Sequence, residues 1–286
     1  MTHFADRLAA AVRTKGTALC VGLDPRFESL PRSIRDRHTE TAAAYEEFCL
    51  RVLEIVVPLV GVVKPQSAFF EACGPAGMAA LRRVNRRAKE LGLITILDAK
   101  RGDIASTAAA YAEAAFDVLD ADAITINPYL GRDAVEPFIT AARQYGRGLF
   151  VLVRTSNPGG GLFQDLPCAG RPLYRHVADA VAAWNGENLG ACGFGVVGAV
   201  VGATHPAELK LLREQLPAVW FLVPGYGAQG GTAADVRAAF RSDGLGAIVN
   251  SSRGVTFPFR PEDADWEAAL RTAAERAAGE LSLATR

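Results

Sequence analysis

Apolar positions along the chain gather into eight short runs rich in Val, Ile and Leu, at 18–23, 61–65, 93–99, 123–127, 148–153, 194–201, 219–223 and 246–250. The runs are continuous and do not alternate with polar residues, which is the pattern of strands covered on both faces, as in a parallel sheet. Between them the period lengthens to that of amphipathic helices, predicted at 40–57, 75–91, 104–119, 132–144, 172–188, 206–215, 232–241 and 262–278. A further amphipathic helix, "MTHFADRLAAAVRTKG", precedes the first strand. Eight strands alternating with eight helices predict an α/β protein, a single (β/α)8 TIM barrel in preference to an open doubly wound sheet. No Pro-rich, Ser-rich or charged linker divides the chain, so residues 1–286 are read as one domain. Two insertions interrupt the alternation. One, 24–39, follows the first strand; the other, 157–172, "NPGGGLFQDLPCAGRP", follows the fifth, and its glycines predict a mobile lid more than a packed element.

Composition narrows the function classes. At 286 residues, half of them hydrophobic, the chain can bury a sizeable core. Lys and Arg number 31, as do Asp and Glu, and this balance argues against nucleic acid or an anionic membrane as a partner. No apolar run approaches the length of a membrane span, and the N-terminal helix mixes acids with bases, unlike a signal peptide; the expectation is a cytoplasmic protein. Five cysteines, Cys20, Cys49, Cys73, Cys168 and Cys192, are odd in number, scattered and never spaced as CxxC, so they read as reduced thiols. His3, His38 and His176 fall in helices or loops without evident partners, and none of the four histidines suggests a metal site or a triad. His205 stands between Thr204, a candidate helix N-cap, and Pro206 in the first helical turn. Phe69, Phe70, Trp220 and Phe221 read as core.

Candidate chemistry begins where the third run, "LITILDA", passes straight into "KRGD". Side chains two apart on a strand share a face, so Asp98 and Lys100 point the same way at its carboxyl end, the end at which barrels place their chemistry. A structural reading is an ion pair, with Asp103 capping the helix that follows. The functional reading is a lysine flanked by two carboxylates, held as an ammonium and therefore suited to act as an acid, where a Schiff-base lysine needs the opposite surroundings. Asp24 in "VGLDP" and Lys64 in "VVKPQ" stand at two other strand ends, and together the four make an alternating ring of Lys and Asp at one barrel mouth. After the seventh strand, "VPGYGAQGGTAADV" brings Gly225, Gly227, Gly230 and Gly231 where backbone N–H groups can approach an anion, with Thr232 or Asp235 opening a helix. After the eighth, "NSSRGV" sets Arg253 beside them as a bidentate donor. Barrels bind phosphate between these two loops.

"LDAKRGDI", with Thr107 four positions further on, resembles the Asp-x-Lys-x-x-Asp signature of the orotidine 5′-phosphate decarboxylases. "VGLDP", "VKPQSAFFE", "RTSNPG", "VPGYGAQGG" and "NSSRG" follow the family's order around the barrel, in the wording of its longer bacterial subgroup. The resemblance implies decarboxylation of orotidine 5′-phosphate to uridine 5′-phosphate in pyrimidine biosynthesis, with no cofactor and no metal. It implies that Lys100 donates a proton to C6 of the pyrimidine and that Asp98 lies against the substrate carboxylate. Asp24 and Lys64 would hold the ribose hydroxyls, and Ser156 the pyrimidine ring. Gln229 and Arg253, with Pro224, Gly225 and Gly254 of the two phosphate-end loops, would bind the nucleotide's 5′-phosphate. Asp103 and Thr107 would reach across a homodimer interface into the neighbour's site. The fourth-strand end, "INPYLGRD", departs from the shorter forms, and Asn127 is left out of the site. Two rivals remain: a related barrel with the same motif acting on a sugar phosphate through a magnesium-stabilised enediolate, and a non-catalytic phosphosugar sensor. The first needs an additional carboxylate at a strand end, where this chain has Lys64; the second has no need of the Lys–Asp ring.

Overall fold

A computed structural model describes residues 2–186, 188–227 and 230–283. The parallel strands β1 (Leu19–Leu23), β2 (Val62–Pro65), β3 (Ile94–Arg101), β4 (Ala123–Ile126), β5 (Gly148–Arg154), β6 (Val197–Val201), β7 (Phe221–Val223) and β8 (Ala247–Ser251) pair in sequence order. β8 returns to β1 through Leu19↔Val249 and Val21↔Ser251, so the sheet closes on itself. This is the predicted barrel, and each strand lies within a few residues of its apolar run. α1 (Phe4–Lys15) precedes β1, and α2 (Thr41–Val56), α3 (Gly74–Glu90), α4 (Ala105–Glu113), α5 (Arg132–Tyr145), α6 (Leu173–Asn185), α7 (Pro206–Gln215), α8 (Ala233–Val236) and α9 (Trp266–Glu280) follow the successive strands. All five residues of β1 and of β6 are buried, as continuous apolar runs require. Phe70, Trp220 and Phe221 are buried, and Phe69 packs against the core with Arg26 over its ring. Among the described residues no helix is long and apolar enough to cross a membrane.

The amino-terminal end of the barrel is closed by α1. The Phe4 ring meets Phe150 edge-to-face at 6.3 Å, and it lies so close to the first residue of β5 that a Cβ on Gly148 would stand 2.2 Å from the ring. Asp122, buried just before β4, ties this end together. Its Oδ1 accepts from Arg7 at 2.7 Å and Arg147 at 3.1 Å, and its Oδ2 from Thr95 N of β3 at 3.0 Å.

Four expectations need correction. The segment 157–172, expected as a mobile lid more than a packed element, does carry elements of its own: a one-turn helix, Gly161–Gln164, and a two-residue ribbon pairing Pro167–Cys168 with Arg171–Pro172. Thr204 does not cap α7; His205 holds that position without a side-chain bond, and the Thr204 hydroxyl is buried with no hydrogen-bond partner among the described residues. Asp103 does not cap α4 either, because Ile104 is its N-cap and, among the described residues, Asp103 Oδ1 accepts only from Ile104 N at 2.8 Å. Finally, the histidines do find partners: His3 caps α1, His38 pairs with Glu47, and His176 bonds to the Cys168 carbonyl. The five cysteines are free, as expected.

Asp122→Ala is expected to cost about 3 kcal/mol, because it strips a buried acceptor from two guanidiniums. Chemical denaturation checks this, with kcat/KM unchanged since the residue lies at the end opposite the site described next.

Candidate active site

At the carboxyl end of the barrel, β3 stops being regular. Its register against β4 slips between Leu97 and Arg101, and Lys100 takes a φ of 50°, in the left-handed region that a side chain enters only under local constraint. Thr125 of β4 supplies that constraint. Its Oγ1 accepts from Ala99 N at 3.0 Å and Lys100 N at 2.9 Å, and donates to Asp98 Oδ1 at 3.0 Å. One hydroxyl thus holds the bulge and aims the carboxylate.

Asp98 is shared by two ammoniums. Lys64 Nζ of β2 donates to Oδ2 at 2.6 Å and Lys100 Nζ to Oδ1 at 2.6 Å. The Lys64 and Asp98 side chains are 5% and 9% exposed, whereas that of Lys100 is 47% exposed, so all three border the cavity but the outer lysine projects furthest into it. Burial works against the ionised carboxyl, but the two ammoniums outweigh it and hold Asp98 far below the usual carboxylate range. Burial likewise opposes the Lys64 cation, and Asp98 with Asp24 raises it above an ordinary lysine. Cys20, on β1 beneath the pair, is pushed up to about 12 by burial and is therefore a thiol, not a thiolate. Asp24 lines the same wall, its Oδ1 buried without a hydrogen-bond partner among the described residues.

These groups form one side of a cavity of about 480 Å³. Leu152, Val200 and Leu222, inward-facing on β5, β6 and β7, make an apolar floor, and Ser156, Pro224, Gly225 and Arg253 complete the far wall. Gly225 has a φ of 95°, and Gly231 lies so close that a Cβ there would stand 2.8 Å from the Gly225 carbonyl. A reciprocal Thr232–Asp235 capping box then opens α8, as the sequence suggests. Tyr226 divides the cavity from a second hollow lined by Gly230, Gly254 and Arg276, and its hydroxyl donates to Glu280 of α9. Among the described residues no cluster of three or more His, Cys, Asp or Glu stands ready to hold a metal ion.

Of the predicted site residues, Asp24, Lys64, Asp98, Lys100, Ser156, Pro224, Gly225 and Arg253 therefore meet around one cavity, and Gly254 faces the adjoining hollow. Gln229 lies outside the described residues. Asp103 and Thr107 do not line the cavity of their own barrel, so of the two acids flanking Lys100 in sequence only Asp98 pairs with it. Thr125 and Asn250 line the cavity without having been singled out from sequence. The available signal was their inward position in otherwise apolar strands, "AITIN" and "GAIVN".

A family model described as "Orotidine 5′-phosphate decarboxylase / HUMPS family" matches residues 17–264. The chain belongs to this family. An orotidine 5′-phosphate decarboxylase of Rhodopirellula baltica is 48% identical, over 96% of this chain and 97% of that protein. One of Roseiflexus castenholzii is 46% identical over 99% of each. The solved structure of the Leishmania donovani OMP decarboxylase superposes with a TM-score of 0.78 at 40% identity, covering 98% of each chain. The barrel read from sequence thus coincides with the fold of a solved relative over nearly the whole chain.

Asp98→Asn would leave Lys64 buried without its counter-charge, at a cost of about 3–5 kcal/mol at neutral pH. Because the folded-state pKa of Asp98 is depressed, its contribution is full above the unfolded value of about 4 and is lost as pH falls below it. Denaturation from pH 7 down to pH 2 is expected to show the gap between wild type and variant narrowing only below about pH 4.

Proposed function

We propose that this chain decarboxylates orotidine 5′-phosphate to uridine 5′-phosphate without a cofactor, with Lys100 as the proton donor. The observation that carries the reading is the Lys64–Asp98–Lys100 chain, two members buried and one presented beside an apolar floor. Breaking the bond from C6 to the carboxylate leaves its electron pair in the plane of the ring, where the π-system cannot take it up. Fixed charge must stabilise it instead. An ammonium about 4 Å away is worth about 4 kcal/mol at an effective dielectric of about 20. In the same event Lys100 delivers its proton to C6 and carbon dioxide departs; the neutral amine regains a proton from solvent.

The remainder of the stabilisation comes from distant contacts. Arg253, with backbone of the glycine loop and Gly254, takes the 5′-phosphate, Asp24 and Lys64 the ribose hydroxyls, and Ser156 the pyrimidine. Binding energy gathered there orients C6 against Lys100. Asp98, kept ionised by its two lysines, faces the substrate carboxylate, and the loss of that charge as carbon dioxide leaves relieves their repulsion. Lys64 occupies the strand-end position at which the magnesium-dependent sugar-phosphate reaction would need a carboxylate.

Purified protein mixed with orotidine 5′-phosphate is expected to deplete it, followed by ultraviolet absorbance, at a rate unaffected by a chelator. Lys100→Ala should abolish this turnover while retaining the fold and most nucleotide binding, since the phosphate contacts lie on the opposite wall. Comparable turnover by the two proteins would remove the central claim.

The same reading makes the protein a homodimer with shared sites. Asp103 and Thr107 do not line their own cavity, and Ile104, Tyr129 and Leu130 at the same end of the barrel are exposed apolar residues. In a twofold dimer one interface completes two sites. Mixing the inactive variants Lys100→Ala and Asp103→Ala under subunit exchange gives hybrids in which one site carries both lesions and the other neither. Activity should then recover to about a quarter of wild type; no recovery, with exchange verified, would assign Asp103 to its own barrel.

A further inference from the structure

Behind the cavity, the segment after β5 holds an arrangement that the reading above leaves unused. Gln164 ends the one-turn helix Gly161–Gln164, and its amide turns back across the loop onto Arg154 and Thr155, the two residues before Ser156. Its Oε1 accepts from Thr155 N at 3.0 Å and from Arg154 Nη1 at 3.2 Å, while its Nε2 donates to Thr155 Oγ1 at 2.8 Å. That hydroxyl in turn donates to Asn157 Oδ1 at 2.6 Å. The amide therefore holds Thr155 directly and Asn157 through the Thr155 hydroxyl, one neighbour on each side of Ser156.

The clasp is fitted closely. A Cβ on Gly160 would stand 2.9 Å from Thr155 Oγ1 and 3.2 Å from Gln164 Oε1, and one on Gly202 would stand 2.9 Å from Ser156 Cα. Arg154, which anchors Gln164 from below, has a side chain only 4% exposed and is itself fixed by Glu208 at 2.5 Å and Asp165 at 3.1 Å. Gln164 does not itself line the cavity, whereas Thr155, Ser156 and Asn157 do, so it reaches a bound substrate only through the backbone segment it holds, with Ser156 at its centre.

We propose that Gln164 is a positioning residue for the decarboxylation, holding Ser156 at the angle its bond to the pyrimidine requires; this rests on the assignment of Ser156 made above. A hydrogen bond weakens steeply as its angle closes, so a hydroxyl on an unclasped loop loses most of its value in the transition state. A double-mutant cycle tests the proposal, with kcat/KM measured for Gln164→Ala, Ser156→Ala and the pair, and the melting temperature of each recorded. Gln164→Ala should lose about tenfold in the wild-type background and less than about twofold in the Ser156→Ala background. Gln164→Glu, which keeps the acceptor towards Thr155 N and Arg154, should recover most of the loss. Gln164→Met, equal in length but unable to bond, gives the same reading if alanine impairs folding. Equal losses in both backgrounds, or wild-type kinetics of Gln164→Ala and Gln164→Met, would overturn the proposal. Wild-type kinetics of Ser156→Ala alone would overturn the Ser156 assignment, a failure visible in that single variant and so distinct from the others.

Discussion

A carboxylate leaves water only when its charge is answered, and the mouth of this barrel is organised around that requirement at Asp98. Two ammoniums answer it, one from β2 and one from its own strand. They are not equivalent. Lys64 is largely enclosed with Asp98, while Lys100 meets the same carboxylate from the open side. Enclosing one cation and exposing the other turns an ordinary ion pair into a fixed positive group with a direction. The cavity is sorted accordingly, with the Lys–Asp network on the side of β1 to β3, hydrocarbon from β5 to β7 beneath, and Arg253 after β8.

The two ends of the barrel use similar groups for different ends. At the amino-terminal end, Asp122 is saturated by Arg7, Arg147 and Thr95, and the Phe4 ring seals the interior. At the carboxyl end Asp24 keeps a buried oxygen without a partner among the described residues, and Lys100 stays half exposed. A saturated carboxylate is fully spent on the fold; one with a free oxygen keeps acceptor capacity.

Much of the fold was legible because continuous Val, Ile and Leu runs have few alternatives once glycine and proline punctuate them at regular intervals. The cavity residues were legible for a related reason: a charge at the end of an apolar run, such as Lys64 or Asp98, has to be explained. Thr125 was not, because a threonine is ordinary in a strand and its role depends on the bulge in the neighbouring one. The segment 157–172 misled through its glycines. Gly160 and Gly161 are there to let side chains cross at close range, a tertiary demand that composition reports only as flexibility. Thr204 misled because its hydroxyl sits one residue too early for the cap that α7 uses.

Thr95 of β3 bonds to Asp122, just before β4, at one end of the strand pair, and Asp98 of β3 bonds to Thr125 of β4 at the other. Donor and acceptor are exchanged between the strands, yet the offset along the chain is 27 residues in both cases. A pairing slipped by one residue would strand both acids at once and turn each side chain to the wrong face. The two strands thus carry their own alignment check, independent of the loops above them. Any sequence drift in those loops can retune what the cavity accepts while the spacing between Asp98 and its neighbours stays set by the sheet alone.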